Sequence, residues 1–299
     1  MAKSGGSASS PRLGVVTVSY GSESVLPAFL ESVADSTAGG GSVPVVVVDN
    51  LPGEGDAHAL ADAAGAQYLP MASNLGYGAA ANAAIAALPA DVDWVLISNP
   101  DVVLGSCVLD LLREAGDEDA AIASVGPAVY NADGTLYPSA RAVPSLRTGV
   151  GHAMFANLWP GNPWSKRYRN DAEAPTGRRD AGWLSGSCLL VRRSAFDELG
   201  GFDPGYFMYF EDVDLGYRFG RHGYRNLYEP SARVTHTGAH STNSDSAKMI
   251  AVHHTSARRF LARKYSGPLL WPVRIALTAG LTIRSAIIGR RIRRQESQS

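Results

Sequence analysis

Short apolar runs alternate with Ala- and Leu-rich stretches of helical spacing along the first 130 residues. The runs at 13–19 and 44–50 are continuous and rich in valine, which is typical of strands buried on both faces of a sheet. Five apolar residues recur at helical spacing between them, namely Val25, Leu26, Phe29, Leu30 and Val33. Ser24 is a candidate N-cap for this helix. The alternation predicts an α/β fold in which helices flank a mostly parallel sheet.

Four more elements continue this pattern to residue 101. We predict a helix over 56–64 that ends at Gly65, a strand over 66–70, a helix over 78–88 and a strand over 93–101. Parallel strands carry their ligand-binding loops at their carboxyl ends, so the polar residues that follow these strands should share one rim of the sheet. These residues are Asp49, the turn from Asn74 to Gly78, and the segment from Asn99 to Asp101.

The alternation weakens after residue 130. A Pro-, Gly- and Trp-rich stretch over 138–182 indicates long loops, and regular elements return only beyond it. We expect a strand over 187–193, a helix from Glu211 to His222, and a strand over 231–236 that ends at His236.

Charge is distributed unevenly, although the net charge is only −1. Residues 258–299 hold ten Lys or Arg and one Glu, so this basic end carries +9 while the remainder carries −10. An anionic partner is therefore expected for the basic end alone. No apolar segment of signal-peptide type follows the polar start, and we interpret residues 1–12 as a flexible leader. Cys107 and Cys188 lack metal-ligand spacing and are interpreted as buried thiols outside any disulfide framework.

Two rim positions carry carboxylates. Asp49 ends an apolar run, where it suits a hydrogen bond from a nucleobase N–H; capping of the following turn is the alternative. Asp101 closes the sequence Asn99-Pro100-Asp101, which resembles a DxD motif whose first acid is Asn. A carboxylate in such a loop suits a hard divalent cation that also binds diphosphate, although Asn-Pro-Asp is common in ordinary turns too.

An aromatic run over 206–210 leads into three carboxylates, Glu211, Asp212 and Asp214. Acids in the first turn of a helix are favoured by the helix dipole, which is the structural explanation. The functional explanation is a general base beside an aromatic acceptor platform, because an acid held against aromatic surface acquires a raised pKa. Helical spacing separates Asp212 from the other two acids, so the three need not share one role. His236 is of interest only beside Asp101, as a second metal ligand.

Seven segments, taken in order, resemble the family 2 glycosyltransferases of GT-A fold. They are LGVVTVSY, VVVVDN, NLGYGAAANAAI, WVLISNPD, GWLSGSCLLVRR, FMYFEDVDLGYRFGRHGYR and SARVTHTG, and they cover about residues 13–240. More narrowly, they resemble the mycobacterial-type rhamnosyltransferases that act on decaprenyl diphosphate-linked N-acetylglucosamine. The resemblance implies a Rossmann-like, mostly parallel sheet with flanking helices, an acceptor-side subdomain and a C-terminal helical tail.

The resemblance also implies roles for individual residues. Seven of them would bind the nucleotide-sugar donor, namely Asp49, Asn74, Gly76, Tyr77, Gly78, Asn99 and Asp101. Asp101 and His236 would hold Mg²⁺ or Mn²⁺, and Asp212 would be the catalytic base. Trp183, Gly186 and Glu211 would lie on the acceptor side. Asn99 departs from the acidic pattern of the family and leaves Asp101 as the only carboxylate of that motif.

Three regions then follow the leader. Residues 13–130 would form the nucleotide-sugar-binding half, residues 131–240 the acceptor-binding and catalytic half, and residues 241–299 a helical, basic, membrane-associated end. The implied activity is inverting, metal-dependent transfer of L-rhamnose from dTDP-β-L-rhamnose to polyprenyl (decaprenyl) diphosphate-linked N-acetylglucosamine. Its product would enter an arabinogalactan-type cell-wall linker.

Other function classes stay open at this point. They are a related transferase with a galactofuranosyl or mannosyl donor, a nucleotidyltransferase, and a non-catalytic nucleotide-sugar-binding module. The segment GVVTVSYGSES has no Lys or Arg, which argues against the basic triphosphate loop of a nucleotidyltransferase. Nucleic acid is not expected as a partner, and the sequence is compatible with a homo-oligomer.

The segment 266–290 is apolar, but Arg274 and Arg284 interrupt it, so a membrane-spanning helix is disfavoured. An amphipathic helix lying on an anionic membrane surface is favoured, with the protein held peripherally at the cytoplasmic face of the cell membrane. A helix packed on the catalytic part or on a second subunit is the alternative.

Overall fold

The computed structural model describes residues 12–38, 42–53, 55–145, 177–238, 246–272, 275–276 and 279–280. The amino-terminal part alternates strands and helices as predicted. Its strands are β1 (Leu13–Ser19), β2 (Val45–Asp49), β3 (Gln67–Pro70) and β4 (Trp94–Ser98), and its helices are α1 (Leu26–Ala34), α2 (Ala57–Ala63) and α3 (Tyr77–Ala87). The four strands are parallel neighbours in the order β3-β2-β1-β4.

The elements that follow add strands to the same sheet and, from the short strands at 140–141 and 183–184, form a separate two-stranded sheet. They are β5 (Val102–Leu104), α4 (Val108–Asp117), β6 (Ile122–Asn131), β7 (Leu136–Tyr137), β8 (Ala140–Arg141), β9 (Arg179–Ala181), β10 (Trp183–Leu184), β11 (Cys188–Arg192), α5 (Arg193–Glu198), α6 (Glu211–Arg221), β12 (Arg225–His236) and α7 (Ser246–Lys264). Strand β11 is inserted antiparallel between β4 and β6, and β12 lies parallel to β6. The long strands β1–β4, β6 and β12 therefore run in one direction, which confirms the mostly parallel sheet.

Both faces of the sheet are covered, which explains the uninterrupted valine runs. Val15 and Leu96 face a core cluster that contains residues of α1, α2 and α4. Their neighbours Val16 and Ile97 face a second cluster, which contains residues of α3, α5 and α6. Because successive strand residues point to opposite faces, a strand covered on both sides needs apolar residues throughout.

Local details differ from the predictions at several elements. The N-cap of α1 is Val25 rather than Ser24, and the N–H groups of Val25 and Leu26 both donate to the Ser22 carbonyl at 3.0 Å. The predicted strand over 231–236 is the end of the longer strand β12, whose register shifts between Glu229 and Arg233. Cys188 is buried and its pKa is raised to about 12 by that burial, whereas Cys107 is only partly buried.

Several short strands could not be predicted from the sequence. A strand of three residues such as β5 is too short to show an alternation of apolar and polar positions. Much of the Pro-, Gly- and Trp-rich stretch, residues 146–176, lies outside the described residues, as does 281–299 of the basic end. In the described part of the chain, no helix is long and apolar enough to cross a membrane.

Candidate active site

The carboxyl ends of β1, β2 and β4 form the predicted polar rim. Asp49 ends β2 and is 2% exposed. Its Oδ1 accepts from the Leu51 N–H at 2.9 Å, and its Oδ2 accepts from the Tyr68 hydroxyl at 2.8 Å. Burial, together with this hydrogen bond, raises the pKa of Tyr68 to about 12. Asp49 thus caps the following turn, which was the alternative to a nucleobase contact, and it also lies on the rim.

The turn before α3 joins the rim to the aromatic run. Gly76 has φ +92°, and a Cβ built there would lie 2.0 Å from the Phe207 carbonyl oxygen, so only glycine fits. The Asn74 Oδ1 accepts from the Gly76 N–H at 2.9 Å, and the Tyr77 N–H donates to the same Phe207 carbonyl at 3.0 Å. This turn therefore fixes the amino end of α3 against the segment that leads into α6.

Asp101 and His236 are brought together by the pairing of β5 with β12. These strands are antiparallel, and His236 lies opposite Val102. The Asp101 Oδ1 lies 3.1 Å from the His236 Nε2, with side-chain exposures of 10% and 23%. Thr237 donates to the Asp101 carbonyl through both its N–H, at 3.0 Å, and its hydroxyl, at 3.1 Å. The predicted pair of metal ligands thus converges, although 135 residues separate its members in the chain.

Asn99 connects the rim to β11. Its N–H donates to the Ser187 carbonyl at 2.9 Å, and its own carbonyl accepts from the Val102 N–H at 3.3 Å. A cavity of about 490 Å³ lies beside this junction. Its lining includes Tyr137, Ser185, Ser187 and His236. The cavity therefore reaches the Asp101–His236 pair from the side of β7 and β11.

Asp212 is held at the start of α6 by two backbone donors. Its Oδ2 accepts from the Gly186 N–H at 2.9 Å and its Oδ1 from the Val213 N–H at 2.7 Å. Burial raises the pKa of this carboxyl, while those two bonds and the charge of Arg141 oppose the rise. The residue as a whole stays partly exposed. A carboxylate with a raised pKa in a partly exposed residue can accept a proton, which is the requirement for a general base.

Glu211 differs from its neighbour. It is 8% exposed, and its Oε2 is buried with no hydrogen-bond partner in the described residues. Burial and the charge of Asp212 raise the pKa of Glu211 to about 8. The side chain packs toward Gly78, where a Cβ would lie 3.6 Å from the Glu211 Cβ. Near neutral pH, Glu211 is therefore mostly protonated.

Asp214, the third acid of the run, is fully buried and paired. It accepts from Arg218 Nε at 2.7 Å and from Arg263 Nη1 at 2.7 Å, and the Tyr206 hydroxyl contacts it at 3.3 Å. The aromatic run is not a uniform platform, because Tyr206 is fully buried whereas Phe207 is 38% exposed. The three acids therefore have different surroundings, and the expectation that they need not share a role stays a prediction.

Tyr77 connects the amino end of α3 with Gly186. Its hydroxyl donates to the Gly186 carbonyl at 2.8 Å, so Gly186 binds Tyr77 through its carbonyl and Asp212 through its N–H. Burial, followed by the charges of Glu211 and Asp212, raises the pKa of Tyr77 well above its usual value. Asp101 contributes to the same rise. The carboxyl groups of Glu211, Asp212 and Asp101 therefore lie close enough to this phenol for their charges to act on it.

Trp183 lies next to this group in β10. Its indole N–H donates to the Ala142 carbonyl at 3.1 Å, and it packs so closely on α6 that a Cβ at Gly216 would lie 2.7 Å from the Trp183 Cβ. The Arg141 guanidinium lies 5.9 Å from the indole ring centre. Trp183 therefore packs on α6, the helix that carries Asp212. It also lies beside Arg141, whose charge lowers the pKa of Asp212.

Sequence reasoning missed four residues of this site. Tyr68 binds Asp49, Arg141 acts on Asp212, Ser187 lines the cavity, and the Asn50 amide donates to the Gly76 carbonyl at 3.3 Å. Asn50 follows Asp49 directly, so its place on the rim could have been inferred. The other three depend on strand pairings that the pattern does not reveal.

The fold and the site together define a nucleotide-sugar transferase architecture, and comparison with known sequences agrees. The model of the family described as "Glycosyltransferase like family 2" matches residues 11–253, so the chain belongs to this family. It is a glycosyltransferase.

Individual relatives are more specific. The chain is 44% identical to the N-acetylglucosaminyl-diphospho-decaprenol L-rhamnosyltransferase of Mycobacterium tuberculosis (strain ATCC 25618 / H37Rv), over 95% of this chain and 96% of the relative. It is 28% identical to the rhamnosyltransferase WbbL of Escherichia coli (strain K12), over 84% of this chain and 92% of that relative.

Solved structures agree on the fold. GalNAc-T7 with UDP, GalNAc and Mn²⁺ superposes with a TM-score of 0.57 at 16% identity, covering 84% of this chain and 48% of that one. The mannosyltransferase PcManGT from Pyrobaculum calidifontis, in complex with GDP-Man and Mn²⁺, gives 0.55 at 13% identity, covering 96% and 80%. The predicted GT-A fold is thereby confirmed.

Proposed function

We propose that this protein transfers L-rhamnose from dTDP-β-L-rhamnose to polyprenyl diphosphate-linked N-acetylglucosamine, with inversion at the anomeric carbon. The choice of substrates rests on one observation. The chain is 44% identical, over nearly the whole of both chains, to a relative named as an N-acetylglucosaminyl-diphospho-decaprenol L-rhamnosyltransferase. The geometry around Asp212 supports the chemistry, because the carboxylate is fixed by two N–H groups and the residue remains partly exposed.

In this reaction, Asp212 would be the general base, and the residues around it would hold it in position. Asp212 takes the proton from the acceptor hydroxyl as that oxygen attacks the anomeric carbon from the face opposite the diphosphate, and the C–O bond to the diphosphate breaks. A single displacement of this kind inverts the centre. Gly186 holds the base from one side, and the Tyr77 hydroxyl holds Gly186. The residues of the rim, with Asp49 at its edge, would bind the nucleotide.

A divalent cation fits the Asp101–His236 pair. Their 3.1 Å separation is close to the distance of about 3 Å between adjacent ligands of an octahedral ion bound at about 2.1 Å. Carboxylate oxygen and imidazole nitrogen both suit Mn²⁺. The described residues contain no group of three or more metal-binding side chains, so diphosphate oxygens and water would complete the shell. When bound, the ion would stabilise the charge of the leaving diphosphate as a Lewis acid.

Product formation with a panel of donors tests the proposal. Purified protein with polyprenyl diphosphate-linked N-acetylglucosamine should form product with dTDP-rhamnose, and much less with galactofuranosyl or mannosyl nucleotides. EDTA should abolish transfer and added Mg²⁺ or Mn²⁺ should restore it. Asp101→Ala should remove most turnover with the fold intact, because a rim carboxylate contributes little to the core. Preference for another donor would overturn the substrate assignment, and full activity in EDTA would overturn the metal site.

A membrane surface is the proposed site of action. Leu269 is 91% exposed, and Trp271 and Ile275 are 57% and 58% exposed, at the start of the basic end. Such side chains can enter the headgroup region while the arginines beyond them meet anionic lipids. The protein should sediment with anionic liposomes at low salt and less so at high salt, and truncation after Tyr265 should abolish sedimentation but preserve donor binding. Protein that stays in the supernatant at low salt would favour the packed-helix alternative.

A further inference from the structure

Two consecutive residues before α6 have an unfavourable backbone conformation. Tyr209 has φ +66° and Phe210 has φ +70°, the left-handed region that non-glycine residues rarely adopt. Residues in this conformation are strained and persist only where their surroundings fix them. Glu211 and Asp212 follow directly, so the position of the base depends on whatever holds this turn.

Helix α7 supplies many of those surroundings. The Ser256 hydroxyl donates to the Met208 carbonyl at 2.8 Å. The His253 ring packs on both strained residues, with ring centres 5.6 Å from Tyr209 and 5.3 Å from Phe210. Phe260, fully buried, packs on Phe210 at 5.7 Å. The helix thus covers the left-handed turn over two of its own turns.

An ion-pair cluster ties the same helix to α6. The two Nη atoms of Arg263 donate in two directions, Nη1 to Asp214 at 2.7 Å and Nη2 to Asp203 at 2.6 Å. Asp214 lies two residues from the base and is fully buried. Arg259 binds Asp203 at 2.9 Å, whereas the ion pairs of Asp214 among the described residues are with Arg218 and Arg263. Arg263 therefore connects α7 with the first turn of α6, the helix that carries Asp212.

We propose that Arg263 is a positioning residue: by holding Asp214, it fixes the first turn of α6 and thereby the orientation of the Asp212 carboxylate toward the acceptor. A buried ion pair is often no better for stability than apolar side chains of similar size, so the Arg263–Asp214 pair is better explained by its effect on geometry. The family match ends at residue 253, within α7, so both arginines lie outside the matched residues. The inference rests on the proposed role of Asp212.

Arg263→Gln and Arg259→Gln form a matched pair for the test. Both arginines lie on α7, both bind Asp203, and their exposures are similar, at 37% and 44%. We expect Arg263→Gln to lower kcat about tenfold with the KM for the donor within twofold of wild type, whereas Arg259→Gln keeps kcat within twofold. Arg263→Gln should also lower Tm more than Arg259→Gln, because it removes one of the two cations bound to the buried Asp214, so the rates are compared well below either Tm.

Two further measurements keep the outcome decisive. Methylguanidinium added to Arg263→Gln should restore part of the lost kcat but leave Arg259→Gln unchanged, and Arg263→Lys should retain more activity than Arg263→Gln. Equal kcat losses in the two Gln variants, or an unchanged kcat in Arg263→Gln, would overturn the positioning role. Asp212→Asn, assayed in parallel, separates the two ideas: if it stays active, the base assignment fails irrespective of the arginine results.

Discussion

Asp212 and Asp214 are two residues apart in one helical turn, yet their carboxylates have opposite surroundings. Asp212 is held by backbone N–H groups, is partly exposed, and has a pKa that burial raises. Asp214 is fully buried and bound by two guanidinium groups. Asp214, whose charge is neutralised by cations, stabilises the fold. Asp212 has only neutral hydrogen-bond donors, so its carboxylate is available for proton transfer. The residue types alone do not reveal this difference.

The largest effect on stability is expected at Asp214. Asp214→Asn leaves Arg218 and Arg263 without their shared anion, so the free energy of unfolding should fall by about 3 kcal/mol, measured by urea denaturation. Asp197→Asn is the control, because Asp197 forms an i,i+4 pair with Arg193 of the same spacing but is 54% exposed. That change should cost less than about 0.5 kcal/mol. Equal losses at the two sites would contradict the structural role of Asp214.

Glu211 should make stability depend on pH. Burial raises its pKa to about 8 from 4.5, so its contribution to stability is present below pH 4.5 and is lost as pH rises through 8. Tm should therefore fall between pH 5.5 and 8.5, and Glu211→Gln should reduce that fall by roughly several degrees. A wild-type protein whose Tm changes no more than that of the variant would show that Glu211 is ionised in the folded state.

The charge of Arg141 should have the smallest effect. This cation lowers the pKa of Asp212, so its removal lets the pKa rise and leaves less of the base ionised in mild acid. Arg141→Gln should lower kcat by roughly two- to threefold at pH 6 and little at pH 9, whereas Arg141→Lys keeps the charge and should resemble wild type. Loss of the same size at both pH values would point to packing against Trp183 instead.

The elements of the amino-terminal half were predicted well, because continuous apolar strands and amphipathic helices leave a strong periodic signal. Asp49, Gly76 and Asp101 could be placed on one rim since parallel strands share their carboxyl edge. Other features depend on pairings between distant segments, which periodicity does not record. The antiparallel insertion of β11, which brings Gly186 to Asp212, is one of them, and the contact of Arg263 with Asp214 is another.

Turnover of Asp212→Asn tests the account most directly. The amide keeps the shape of the side chain but cannot accept the proton, so kcat should fall by roughly a hundredfold or more. Donor binding and the urea midpoint should stay close to wild type, in contrast to Asp214→Asn, which should unfold more readily. Near-normal turnover of Asp212→Asn, together with loss in Asp214→Asn or Glu211→Gln at conditions where both are folded, would contradict the assignment of the base.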